Sequence, residues 1–195
     1  YALVRKDQKG YFDQPTGYIL LVIFTGVVGY LFFFVSGFRT NEEASIRAMF
    51  SVQSLFTLPW LLAIFVPAAT MRLLAEEQRD GTLEILLTQP IHAWNVLLAK
   101  FTAGLIFVSV AILATLGIPI ALKFAGNLDD GTVVTQYVGS IFMAAAFISI
   151  GLFTSSLTRN QIVAFIMGVF LTAALMLVGL DIVIDSLPNR VSELL

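Results

Sequence analysis

The side chains able to do chemistry in this chain are few, and their spacing argues against a reaction centre. His92 is the single histidine, and no carboxylates near it have the spacing of a metal site or of a general base with its orienting acid. Ser155 and Ser156 lack the flanking glycines of a nucleophile elbow, so they are expected to satisfy backbone groups at a helix end, in a cytoplasmic turn. Cysteine is absent, which removes thiolate ligands, cysteine nucleophiles and disulfides together. No Gly-x-x-x-x-Gly-Lys-Ser/Thr stretch is present to cradle nucleotide phosphates. No catalytic, cofactor-binding or metal position is therefore assigned, and nothing marks a nucleic-acid partner. The densest cluster of polar chemistry is the run Glu76-Glu77-Gln78-Arg79-Asp80, followed by Gly81, Thr82 and Glu84. Its residue types make ion pairs and charge-assisted hydrogen bonds.

The elements that must position this run are apolar. Hydrophobic residues make up 58% of the 195 and charged residues 12%, gathered in short clusters between long apolar runs, so the solvent is mostly lipid. Crossing a hydrocarbon core of about 30 Å takes roughly 20 helical residues. Five stretches suffice, at about 17–38, 50–74, 96–124, 137–157 and 162–184. Lipid offers no partner to an open sheet edge, and the runs lack the short alternation of barrel strands, so the fold class is all-α, a polytopic helical membrane protein. The span cores contain no ionisable residue to carry a proton relay; Arg72 and Asp181 sit near span ends. Residues 1–14 mix Leu3, Val4, Tyr11 and Phe12 with Arg5, Lys6 and Lys9, the pattern of an interfacial helix, with a disordered basic tail as the alternative.

A cytoplasmic N-terminus puts Arg5, Lys6, Lys9, Arg72, Arg79, Lys100 and Arg159 inside, and Arg39, Arg47, Lys123 and Arg190 outside with the acidic pairs Glu42–Glu43 and Asp129–Asp130. That follows the positive-inside rule. The numbering opens at Tyr1 and residues 186–195 read as the start of an extracytoplasmic helix, so a sixth span and a longer chain are expected.

The charged run then lies in a cytoplasmic loop between spans two and three. Glu76 and Arg79 stand three apart and can pair, Gly81 supplies a left-handed stop, and Leu83, Leu86 and Leu87 recur at helical spacing until Pro90. Geometry alone leaves two readings, an ordinary loop helix resting on the membrane or a docking element. Elsewhere, Pro59, Pro67 and Pro119 predict kinks, which either border a moving pathway or shape the bundle. Small residues four apart, Ala164, Gly168 and Thr172 on the fifth span and Ser140 and Ala144 on the fourth, predict intramolecular packing faces.

The stretch Glu-Glu-Gln-Arg-Asp-Gly-Thr-Leu-Glu-Ile-Leu-Leu-Thr-Gln-Pro over 76–90 resembles the pattern of permease subunits of the ABC-2 superfamily, matching at Glu76, Glu77, Arg79, Gly81, Thr82, Glu84, Leu86, Leu87 and Pro90. A second stretch, Tyr11-Phe12-Asp13-Gln14-Pro15-Thr16-Gly17-Tyr18-Ile19, is similar to the entry to the first span in the gliding-motility-type branch. The resemblance implies a single permease domain with the transmembrane fold of type V exporters, five spans of which are visible. It implies that the segment 76–90 is an ATPase-coupling element formed by Glu76, Glu77, Arg79, Gly81, Thr82, Leu83, Glu84, Leu86 and Leu87, and that Arg159 and Asn160 make a second cytoplasmic contact. The partners it implies are a cytoplasmic ATP-binding-cassette ATPase, which carries the ATP and Mg, a second permease, identical or related, the bilayer itself and an accessory extracytoplasmic subunit. The chain would not itself be an enzyme. It would form half of an export pathway in a bacterial inner membrane or, alternatively, a non-transporting scaffold that passes ATPase work to an extracytoplasmic machine.

Overall fold

Where each helix begins follows from its first residues. The computed structural model describes residues 2–35, 47–51, 57–82, 92–125 and 129–180. Helix α1 (Ala2–Phe12) leads into α2 (Pro15–Tyr30), which widens into a π turn at Leu31–Val35. After a single turn, α3 (Arg47–Phe50), come α4 (Leu58–Thr70) and α5 (Arg72–Arg79), then α6 (Ala93–Ala114), α7 (Gly117–Ala125), α8 (Asp130–Leu157) and α9 (Gln161–Val178). Pro15 and Pro59 open α2 and α4 in the first turn, where a missing N–H costs nothing. Asp129 and Asn160 open α8 and α9 as caps, accepting at 3.0 Å from the Gly131 and Ile162 amides.

Among the described residues, five helices are long and apolar enough to cross a membrane: Pro15–Phe34, Leu58–Arg79, Ala93–Phe124, Asp130–Leu157 and Gln161–Val178. Among the described residues there is no strand, so the all-α reading holds. The boundaries differ from the hydropathy reading at three places, one of them the fifth span, which ends at Val178 with Gly179 as its cap and not near 184. The second span starts at Leu58, not near 50, because Pro59 sets its first turn, and it runs on to Arg79 as a charged extension. The fourth starts at Asp130, not 137, because the Asp129 cap lies eight residues before the apolar run. Residues 181–195 lie outside the described residues, and with them Asp181 and the expected outer helix.

Two of the three prolines interrupt their spans, as expected; Pro59 only begins one. Pro119 cannot donate to the Thr115 carbonyl, and that oxygen instead accepts from the Ile118 amide at 3.0 Å in the tighter turn separating α6 from α7. Pro67, upstream of the α4–α5 break at Met71, leaves the Ala63 carbonyl without its helical donor. That orphan is met from another span: the Thr172 hydroxyl donates to Ala63 O at 2.8 Å. An unmet carbonyl in lipid is costly, so Thr172→Val should destabilise by about 1–3 kcal/mol. In a Pro67→Ala background, where the helical N–H returns, the same substitution should cost much less; the comparison is a double-mutant cycle on thermal unfolding.

The second and fourth spans form the centre. Two thirds of the second span's apolar window is buried (67%), against 22% for the first and 17% for the fifth, so the outer two present most of their surface outward. Helix α8 touches α4, α5, α6 and α9. The core is built from Leu62, Val66, Phe107, Val108, Ile112, Phe147 and Ile148. Ala164, Gly168 and Thr172 are buried on the inner side of α9, where a Cβ on Gly168 would lie 3.0 Å from Pro67 Cβ and 3.2 Å from Thr154 Oγ1. The small-residue stripe is thus an intramolecular face. At one end of the bundle, exposed Lys123 pairs with Asp130, a contact of the kind worth 0–1 kcal/mol.

Candidate functional site

The opposite end of the bundle gathers the charged run. There α1, the start of α2, helix α5, the start of α6 and the end of α8 converge. Helix α5 turns Leu74 and Ala75 inward and leaves Arg72, Glu76 and Arg79 exposed. Three anchors hold it. Ser155 Oγ accepts from the Leu74 and Ala75 amides at 3.1 and 3.0 Å and donates to Met71 O at 3.1 Å. Gln78 Nε2 donates to Ser156 O at 2.8 Å. The third anchor is ionic: Lys100 Nζ lies 2.8 Å from Glu77 Oε2 and 3.9 Å from Asp7 Oδ1.

This corrects the sequence reading in two places. Ser155 and Ser156 lie within α8, not in a turn, and Ser155 satisfies the first amides of a different helix, those freed at the α4–α5 break. Ser155→Ala would strand the buried Leu74 amide, one of the orphan donors of the first turn, and should destabilise by about 1–3 kcal/mol, with hydrogen exchange rising at Leu74 first. Glu76 and Arg79, expected to pair, form no ion pair among the described residues; Glu77 takes the cation, from another helix. Lys100, which charge counting assigned only to a side of the membrane, is 2% exposed. The signal was available: Val96, Ala103, Gly104 and Phe107, at i−4, i+3, i+4 and i+7 from Lys100, form the buried face of α6. Glu77 Oε2 is withdrawn from solvent, and its contact with Lys100 has the distance of a hydrogen bond without the alignment, so the attraction is chiefly coulombic.

The Tyr11–Ile19 stretch builds the corner beside this cluster. Tyr11 stacks on Phe107 with centroids 4.5 Å apart, and its hydroxyl donates to Ala69 O at 2.8 Å. Burial, with the Asp7 charge adding to it, pushes the Tyr11 hydroxyl well above the usual phenol range, so it remains a donor. Phe12 meets the Phe107 edge at 5.9 Å. Helix α1 is therefore tied to both α4 and α6.

Gly81 has φ of 69°, the left-handed conformation that ends α5, and Thr82 is exposed beside it. Leu83, Glu84, Leu86, Leu87 and Pro90 lie outside the described residues. Arg159 is exposed; Asn160 is used as the cap of α9. His92 is exposed just before α6 and gives it no side-chain cap. The site can therefore lock helices together and end a lever at a defined point.

Among the described residues, five helices of membrane length meet a polar, ion-paired end, the arrangement of an integral membrane protein. Residues 19–190 match the family model described as ABC-2 family transporter protein, and the chain belongs to that family. It is 28% identical over 141 residues to the "Probable multidrug ABC transporter permease YbhR" of Escherichia coli strain K12, and equally to the protein of that name in Escherichia coli O157:H7, covering 68% of this chain. The chain spans 37% of the length of these relatives. No solved structure matches it.

Proposed function

We propose that the chain is a membrane-spanning permease subunit of an ATP-binding-cassette exporter, supplying half of a translocation pathway and receiving work from a separate cytoplasmic ATPase. The observation that carries the reading is the anchored lever α5. It continues a central span, is fixed by Ser155, Ser156 and Lys100, and stops at a left-handed glycine immediately before the segment 82–90. A push applied beyond Gly81 would pass as a rigid displacement into α4, α6 and α8, because packed helices move as bodies. Leu83, Leu86 and Leu87 supply apolar surface for a groove on the ATPase, and Glu84 supplies an orienting charge. ATP and Mg stay on that partner. The N-terminus and α5 face the cytoplasm of a bacterial inner membrane, in keeping with the basic residues on that side. The outward faces of the first and fifth spans are available to bilayer lipid and to a second permease that completes the pathway.

The test is ATPase coupling in reconstituted vesicles. Left-handed backbone costs a residue with Cβ roughly 1–2 kcal/mol, so Gly81→Val should redirect the lever and abolish cargo-stimulated hydrolysis while membrane insertion stays intact. Glu84→Ala should weaken the same coupling. Full coupling in both variants would overturn the assignment, and hydrolysis coupled to movement without cargo flux would favour a mechanical scaffold.

A further inference from the structure

Between α1, the start of α2 and the α4–α5 junction lies a partly open cavity of about 440 Å³, within the size range of small-ligand pockets. Apolar walls are provided by Ile19, Leu20, Ala68 and Leu73. Lys100, Glu77 and Asp7 also line it, but those three are occupied with one another. The charges left for a visitor are Arg72 and Glu76, both exposed and both lining the cavity, four residues apart on one face of α5. Neither forms an ion pair among the described residues, with each other or with a neighbour. An arginine placed N-terminal to its glutamate is the less favourable order for an i,i+4 pair. One guanidinium and one carboxylate are thus presented about 5–6 Å apart at their bases, above an apolar cleft.

Depth in the membrane narrows what fits. Helix α1 carries charged and apolar residues and joins directly to the first span, which places it and the cavity beneath it at the level of the lipid headgroups. We propose that this cavity binds one phospholipid bearing a primary amine, with its phosphate on Arg72, its ammonium on Glu76 and the first methylenes of its chains against Leu20 and Leu73. An anionic lipid would satisfy Arg72 but leave Glu76 unmet and enter a lining that is already net negative, with Asp7, Glu76 and Glu77 against Arg72 and Lys100. An amphipathic cation would leave Arg72 unmet. The zwitterion answers both, and bidentate guanidinium–phosphate contact is geometrically favoured.

Native mass spectrometry of the full chain, delipidated in detergent and given equal phosphatidylethanolamine and phosphatidylglycerol with the same acyl chains, tests this. Phosphatidylethanolamine should be retained about tenfold more strongly, the effect of one charge-assisted hydrogen bond. Glu76→Gln should abolish that preference, and Arg72→Gln should weaken both lipids. Leu20→Trp, which fills the cleft, should weaken both as well, whereas Val22→Trp on the exposed side of α2 should change nothing. Should Leu20→Trp not fold, the two surface charge variants carry the test alone. Equal retention of the two lipids by the unaltered chain, or a preference unmoved by Glu76→Gln, would overturn the proposal. So would displacement of the lipid by dodecyltrimethylammonium at equal strength with and without Arg72→Gln.

Discussion

Lys100→Met will loosen the polar end of the bundle more than any substitution in the apolar core of comparable size. The Lys100 side chain is 3% exposed, and those of its partners Glu77 and Asp7 only 18% and 12%. Removing one member of a buried pair costs about 3–5 kcal/mol, because the remaining charge has lost both water and partner. The residual access of the two carboxylates to solvent places this case near the lower figure. For a chain of this size that corresponds to a fall in apparent melting temperature of roughly 6–12 °C. The double variant Lys100→Met with Glu77→Met should recover most of the loss, since an apolar pair of similar volume replaces an ion pair at little net cost. Lys100→Arg should keep much of the stability. If the single and double variants melt alike, the pair does not hold α5 to α6.

Gly17→Ala is expected to have the second-largest effect, and through geometry alone. A Cβ built at Gly17 runs into the carbonyl oxygen of Tyr11, which is backbone and cannot rotate aside. Forcing the group in costs about 1–3 kcal/mol, and the structure can relax only by opening the corner between α1 and α2. Opening that corner draws Tyr11 off Ala69 O and Phe107, so α1 amides should exchange faster with solvent while the spans keep their protection. Gly26→Ala is the control, since nothing lies within 4 Å of a Cβ there. Equal protection of α1 in both variants would show that the corner is not tight.

How much of this could be seen in the chain itself depends on which physical rule each feature obeys. Span number follows from the thickness of a bilayer, and five runs of sufficient length read directly as five helices. Gly81 was legible because only a residue without Cβ is at ease at positive φ. The stripe of Ala164, Gly168 and Thr172 was legible because close helix packing in lipid selects small residues. The partners were not. Nothing local says that Thr172 will reach the carbonyl that Pro67 orphans 109 residues away in sequence, or that Ser155 will cap a helix 80 residues upstream. Charge counting did not reveal the burial of Lys100 for the same reason: the positive-inside rule assigns a cation to a side of the membrane, not to water or to a partner. In the candidate site, Glu77 was named by motif and found paired with a buried cation from another helix, while the expected Glu76–Arg79 contact is not made.

The central claim is that work enters this chain through the segment following Gly81. A photo-reactive amino acid placed at Leu87 in the full protein, irradiated in native membranes, measures it directly. The account predicts a crosslink to a subunit carrying a nucleotide-binding loop, altered by trapping that subunit with ATP, and no such product from the same probe at Asp130 at the far end of the bundle. A crosslink from Leu87 to lipid alone in every nucleotide state would contradict it.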